Sequence, residues 1–490
     1  MPLPLHLLTR ATSVWWACLM VAACAAGGDS PREAPPPVVA DGPQATLWLT
    51  TADKTRLLAR SDAGRFGDAA PLALNIDVDA SQRFQIMAGF GASITDASAW
   101  LMQNRLSPAQ RDALLQELFG RGETGLGFDL TRLTLGASDF SLQHYSYNDM
   151  PAGQTDVPLA RFSIDPMRAA VLPVLKRAQA VNPGLLVMAS PWSPPGWMKT
   201  TDSLIKGSLR PEYYDAFARY LVKYVDAMAA EGVDIFALTL QNEPHFEPGD
   251  YPGMRLEPAA RAAVIGKHLG PLLEARQLKT QLIEWDHNWD DPSAPLAVLN
   301  DPLAKRYIAG VGWHCYGGDV KAQGQVQAAH PDKDVWFTEC SGGEWKPQWA
   351  ETLPWVGRNI VIGATRYGAR GVQMWNLALD EKYGPHKGGC PDCRGVVTIH
   401  SVTGEITRNL EYYALGHASK FVRRAAQRIA STSGVDGVET VAFRNADDGS
   451  IALVLCNTTA SERRLSVRQA GQVIEVSLPR ESLATLVWTP

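Results

Sequence analysis

From residue 84 to residue 420 the chain alternates between two patterns. Short runs of consecutive apolar and β-branched residues end in clusters of Gly, Pro, Asn, Trp or acidic side chains, and longer stretches of helical periodicity separate them. A continuous apolar run reads as a strand buried on both faces, as in a parallel sheet covered by helices. Eight such runs occur, at 85–91, 128–136, 185–190, 237–243, 281–285, 308–316, 335–339 and 371–379. Between them, Ser107, Pro108 and Gln110 compose a capping box with proline at the first helical position. Asp165-Pro166 opens a helix expected to kink at Pro173, and Pro211 opens a long amphipathic helix that stops at Gly232. Eight strands alternating with helices predict an α/β fold of the (β/α)8 TIM-barrel type.

The flanks differ. Strand-like runs at 45–50 and 72–76 precede the alternating region, and others at 440–443, 451–455 and 483–488 follow it, separated by polar turns. Both chain ends are expected to build one β-domain beside the barrel, with residues 44–83 and 421–490 on either side of a barrel span at 84–420.

The first 24 residues are set aside as an export segment. Arg10 supplies its charge, and the apolar stretch 14–23 is too short to span a bilayer. Val21-Ala22-Ala23-Cys24 resembles a bacterial lipobox with Cys24 as the lipidated residue, and cleavage after Ala25 or Ala26 is the alternative. Both readings export the chain, the first to the cell envelope through a lipid anchor, the second to the periplasm or medium. Residues 25–43 read as a proline-rich tether. Of the other cysteines, Cys315, Cys340 and Cys456 are expected to be buried free thiols. Cys390 and Cys393 suit a disulfide pinning a glycine-rich loop, with a structural metal site as the competing reading.

Composition narrows the function. A net charge of −5 over 490 residues gives no footprint for nucleic acid. Many of the fifteen tryptophans stand beside two strand ends that each carry a glutamate, Gln241-Asn242-Glu243-Pro244 and Thr338-Glu339-Cys340-Ser341. Barrel enzymes keep their chemistry at strand ends, and cleavage of a glycosidic bond requires two carboxyl groups on either side of a sugar ring. Glu243 and Glu339 are the candidate pair. Two carboxyls and water suffice for such chemistry, so no cofactor or metal is implied.

These segments, with Gly89-Phe90-Gly91-Ala92-Ser93-Ile94-Thr95-Asp96, Ser138-Asp139-Phe140-Ser141, Ser190 to Lys199 and Trp375-Asn376-Leu377-Ala378-Leu379, resemble the glucosylceramidase group of glycoside hydrolase family 30. The resemblance spans most of the stretch from Phe84 to Phe421. It implies a TIM barrel with an accessory β-sandwich built from both chain ends. It also implies retaining hydrolysis, with Glu243 as acid/base and Glu339 as nucleophile, the carboxyls about 5–5.5 Å apart and the Glu243 pKa raised by Glu339. Asn242 then meets the sugar 2-OH, and Asp139, Trp192 and Trp375 match sugar contacts. Asp96 is either a further contact or a helix cap. Arg132 would keep Glu339 ionised, while His314 and Tyr316 share one face of strand six and orient the nucleophile. Asp286, His287, Trp289 and Trp345 are candidates for the outer cleft, and loop 384–394 for the leaving-group side. The implied substrate is a β-glucoside, read first as glucosylceramide, which would place the chain in sphingolipid metabolism. A β-1,6-glucan cut by an endo-glucanase is the alternative. A non-catalytic glycan-binding lipoprotein is a third reading, opposed by the presence of Glu243, Glu339 and Asn242.

Overall fold

The computed structural model describes residues 41–490, so the export segment, Cys24 and most of the tether lie outside the described residues. Among the described residues no helix is long and apolar enough to cross a membrane. Eight parallel strands close into a barrel: β1 (Gly89–Ser93), β2 (Leu130–Leu135), β3 (Leu186–Pro191), β4 (Ile235–Thr239), β5 (Gln281–Asn288), β6 (Ile308–His314), β7 (Asp334–Glu339) and β8 (Ala369–Asn376), with β8 pairing back onto β1.

The barrel interior is layered by the two-residue period of its strands. Leu130, Met188, Ala237, Ile283 and Trp336 pack with Ala88 into an apolar floor. Two residues further along their strands, Arg132, Ser190, Thr239 and Thr338 form a buried polar layer. On β5 the step of two would place Trp285 in that layer. Pairing with β6 instead skips one residue, from Trp285 opposite Gly312 to His287 opposite Trp313, which makes Asp286 the extra residue of a bulge. The bulge re-aims the strand and brings Asp286 inward. Trp285 and Asp286 both have positive φ, 73° and 56°.

Apart from two small sheets of two and three short strands, the other strands form one nine-stranded sheet in the order Ala59–Arg65, Gln44–Thr50, Ser482–Trp488, Ile451–Asn457, Val438–Arg444, Gln427–Ser431, Asn75–Ile86, Arg463–Gln469 and Gln472–Leu478. Reciprocal bonds between Gly67 and Val473, at 3.0 and 2.8 Å, tie its two ends together. The sheet thus folds over a single apolar core that includes Leu47, Ile76, Leu453, Val467 and Leu486, which is a β-sandwich drawn from both chain ends.

Several local expectations hold and others shift. The capping box is present: Ser107 accepts from Gln110 N, and Gln110 accepts from Ser107 N. The helix expected to kink at Pro173 is two helices, Asp165–Arg168 and Val171–Val181, broken at residues 169–170. Pro173 sits in the first turn of the second, where an absent N–H costs no hydrogen bond. The fourth strand stops at Thr239 instead of reaching Glu243, because Asn242 N bonds Pro191 O and Glu243 N bonds Asp286 O. Cys315 and Cys340 are not free thiols but a disulfide. Glu339 pairs with His314 across β7 and β6, so the residues following each of them emerge side by side, 5.4 Å apart at Cα. Cys390 and Cys393 are also bonded, and Cys456 is a free, buried thiol.

Candidate active site

The ends of β2 to β8 and the segments that follow them surround a cavity of about 500 Å³, with Glu243 and Glu339 both in its wall. Beneath them one buried chain of contacts joins the two carboxyls. Arg132, wholly shut off from solvent, donates at 2.7 Å to Glu339 Oε2, to Asn242 Oδ1 and to Asp286 Oδ2, and at 3.0 Å to Ser190. Asp286 also accepts from Thr338 and Ser190, and Thr239 lies 2.7 Å from it. The oxygen that accepts from Thr338 also faces His314 Nε2 at 3.0 Å, and His314 Nδ1 faces Glu243 Oε1 at 3.1 Å.

The charges follow from these contacts. Burial favours a protonated Asp286, but the Arg132 charge and the hydrogen bond with His314 outweigh it and hold the carboxyl far below its usual range. Burial also disfavours a charged His314. The negative charge of Glu339 and the hydrogen bonds with Asp286 and Glu243 overcome it and lift the imidazole to about 9. His314 is therefore an imidazolium with both N–H groups donated to carboxylates. Burial raises Glu243 in turn, yet the hydrogen bond from His314 and the charge of that imidazolium draw it below the usual carboxyl range. That is opposite to the direction expected from the repulsion of Glu339 alone. Glu243 adopts a positive φ of 48°, a strained conformation for a residue with a Cβ.

The other candidates divide. Tyr316 donates to Glu339 Oε1 at 2.9 Å, as expected, although it lies two residues past the end of β6. His314 serves Glu243 rather than Glu339, a correction that follows from its Nδ1 contact. Trp192 and Trp375 line the cavity but stack on one another at 5.0 Å, with the Arg132 guanidinium 4.9 Å from the Trp192 ring centre. Asp139 lines the cavity with a buried Oδ1 that has no hydrogen-bond partner. Burial and the charge of Glu339 push its carboxyl well above the usual range. Asp96 is not part of the cavity wall; it accepts from Tyr145 at 2.8 Å, and Thr95 is the residue that caps the helix Asp96–Asn104.

Of the outer-cleft candidates, His287 and Trp345 line the cavity, as do Gly389, Cys390 and Cys393 of loop 384–394. Trp289 is buried and bonded to Gln323, and Asp286 lies beneath the cavity at the centre of the network. The sequence reading missed the hydroxyls of Ser190, Thr239 and Thr338, whose signal is their place two residues after the apolar floor. It also missed Phe246 and Tyr251 in the cavity wall, which no motif marks. Glu243, His287 and His314 bring three donor atoms within 4.8 Å of one another. Glu243 and His314 are already engaged with each other, so the cluster reads as part of the network.

Residues 87–422 match the model of the glycosyl hydrolase family 30 TIM-barrel domain, and residues 426–486 that of its β-sandwich domain. The chain is 34% identical over 474 residues to an endo-1,6-β-D-glucanase of Neurospora crassa, covering 92% of this chain and 96% of that one. It is 28% identical over 439 residues to the lysosomal acid glucosylceramidase of Mus musculus, covering 85% and 83%. The solved structure of an endo-β-1,6-glucanase superposes with a TM-score of 0.83 at 31% identity, covering 91% of this chain and 99% of that one. Two domain models of one family in chain order, over a barrel and sandwich of the matching kind, leave one assignment: the chain belongs to glycosyl hydrolase family 30 and is a glycoside hydrolase.

Proposed function

We propose that the chain is a retaining β-glucanase that cuts β-1,6-glucosidic bonds, with Glu339 as nucleophile and Glu243 as acid/base. The observation that carries the catalytic reading is the single buried path Glu339–Arg132–Asp286–His314–Glu243 beneath one shared cavity. Glucan is favoured over glucosylceramide because the relatives named endo-β-1,6-glucanases are 34% and 31% identical, against 28% for the glucosylceramidase.

In the first step Glu339 attacks the anomeric carbon as the bond to the leaving oxygen breaks, and Glu243 protonates that oxygen. With the site free of sugar that proton resides on His314 and is reached by Glu243 across the 3.1 Å hydrogen bond. Its transfer leaves a neutral imidazole and a protonated carboxyl. Once Glu339 is esterified, a negative charge that had favoured the imidazolium is gone. Glu243 then takes a proton from water as the water attacks the anomeric carbon and frees Glu339.

Arg132 and Tyr316 each hold one oxygen of Glu339, which fixes the direction of attack. Because the Asn242 carbonyl is occupied by Arg132, its amide N–H groups are left to donate to the sugar 2-OH. The unpartnered oxygen of Asp139 accepts from a sugar hydroxyl. A polymer too large to enter a cell has to be cut outside it, which is where export of the chain would place the enzyme. Fractionation of cells making wild type or Cys24→Ser tests the lipid anchor.

The deciding experiment is a product profile on β-1,6-glucan and glucosylceramide side by side, with Glu339→Gln as control. Release of β-1,6-oligosaccharides by wild type and not by the variant is expected. Turnover of glucosylceramide alone would return the substrate to the ceramide reading, and equal rates for the two proteins would end the enzymatic one.

A further inference from the structure

A second cavity of about 520 Å³ opens beside the one between the carboxyls. Tyr316 and Trp345 line both, so the two spaces share a wall. The second reaches outward over the Cys315–Cys340 disulfide to Trp355, with Lys346 and Glu351 also in its lining. Its aromatic side chains are unusually open: Tyr316, Trp345 and Trp355 are 44%, 47% and 44% exposed. Trp345 is also held flat. A Cβ on Gly343 would stand 1.9 Å from its ring, so glycine lets one face of the indole rest on backbone while the other stays free.

We propose that this second cavity is a subsite for glucosyl units of the same β-1,6-glucan chain, beyond the two units that flank the scissile bond in the cavity between Glu243 and Glu339. The inference rests on the glucanase reading. A β-glucopyranosyl ring presents a flat C–H face and a rim of hydroxyls. The open ring faces of Trp345 and Trp355 suit the first, and the charged ends of Lys346 and Glu351 suit the second. Lys346 and Glu351 stand 3.9 Å apart and about two-thirds exposed on the rim, where an acyl chain would displace their water and offer no hydrogen bond in return. The 1,6 linkage also carries an extra rotatable C5–C6 bond. The chain can therefore turn past Tyr316 and Trp345 from one cavity into the other, which a rigid linkage would not permit.

The test uses the full enzyme and a series of β-1,6-linked glucose oligosaccharides from dimer to hexamer, comparing wild type with Trp355→Ala. Trp355 is absent from the wall of the cavity between the carboxyls. Wild-type kcat/KM should rise with chain length, and the variant should lose about five- to tenfold on the longest substrates while matching wild type on the dimer. Lys346→Ala, at an exposed position on the rim, should show a smaller loss with the same length dependence. A loss equal at every length, or none, would overturn the subsite. So would a loss confined to glucosylceramide, which would make the occupant an acyl chain. Wild type inert on every β-1,6-linked substrate would instead sink the glucanase reading itself.

Discussion

Arg132 and Asp286 meet at 2.7 Å with both side chains wholly shut off from solvent. The pair joins the two halves of the site, since Arg132 goes on to Glu339 and Asp286 to His314. Asp286→Asn keeps the shape of the side chain but removes its charge, leaving Arg132 and His314 short of a counter-charge where water cannot replace it. We expect a loss of about 3–5 kcal/mol in stability, the range for breaking a buried pair from one side. Activity should fall by about 100-fold or more, because Glu339 and Glu243 lose their common anchor. Urea unfolding and steady-state kinetics read the two effects separately.

Tyr316 holds Glu339 by a single hydroxyl, and Arg132 holds the other oxygen. Tyr316→Phe removes one hydrogen bond to a charged group, about 1.5–3 kcal/mol. It should lower kcat about 10- to 100-fold with little change in unfolding midpoint, as the ring is 44% exposed. A fall in stability with unchanged kcat would make Tyr316 a structural residue.

Glu243→Gln removes the proposed proton donor but leaves Glu339 in place. Substrates whose leaving group needs a proton, such as glucan, should lose about 10²–10⁴-fold in rate. An aryl β-glucoside with a strongly acidic phenol needs no such help in the first step and should show a burst of phenol followed by slow turnover. Equal losses on both substrates would remove Glu243 from the acid role.

Two buried histidines make stability depend on pH in opposite directions. His417 lies between Thr485 and Thr50, each near 3 Å, and burial lowers its imidazole to about 3. The unfolded chain, titrating near 6.5, takes up that proton between pH 6.5 and 3 while the folded chain does not. Stability is therefore lost as pH falls through that window, by at most about 1.4 kcal/mol per unit. His314, raised to about 9, behaves inversely: its contribution is complete below 6.5 and is lost as pH rises through 9. Thermal unfolding across pH should show both limbs, with His417→Gln flattening the acid limb and sparing the alkaline one.

The eight strands were legible because a strand buried on both faces is apolar at consecutive positions. The strand ends were less so. Asp286 enters the polar layer through a bulge that depends on pairing between β5 and β6, and a single strand read by its two-residue period points to Trp285 instead. The candidate pair Glu243 and Glu339 could be found from strand-end position alone. The group each one leans on could not: assigning His314 to Glu243 needs the turn that gives Glu243 its positive φ. Cys315 and Cys340 stand isolated in the sequence, and only the register of β6 against β7 sets them side by side.

That disulfide bears directly on the site. Cys315 separates His314 from Tyr316, and Cys340 follows Glu339, so the bond fastens together the two segments that form the Tyr316–Glu339 contact. Its partners are 25 residues apart, and closing a loop of that size stabilises the fold by about 3.5 kcal/mol in the chain-entropy model. Replacing both cysteines by serine should cost about that much in unfolding free energy. On a dimer, which stays clear of the second cavity, it should also raise the thermal sensitivity of kcat above that of KM, since the segments set free hold Glu339. Replacing Cys390 and Cys393, whose loop of three residues closes far less entropy, should cost less stability. Because those two cysteines line the cavity wall near Asp139, that change should act on KM instead. The contrast between the pairs is the measurement: a nucleophile-side bond that moves kcat, and a sugar-side bond that moves KM.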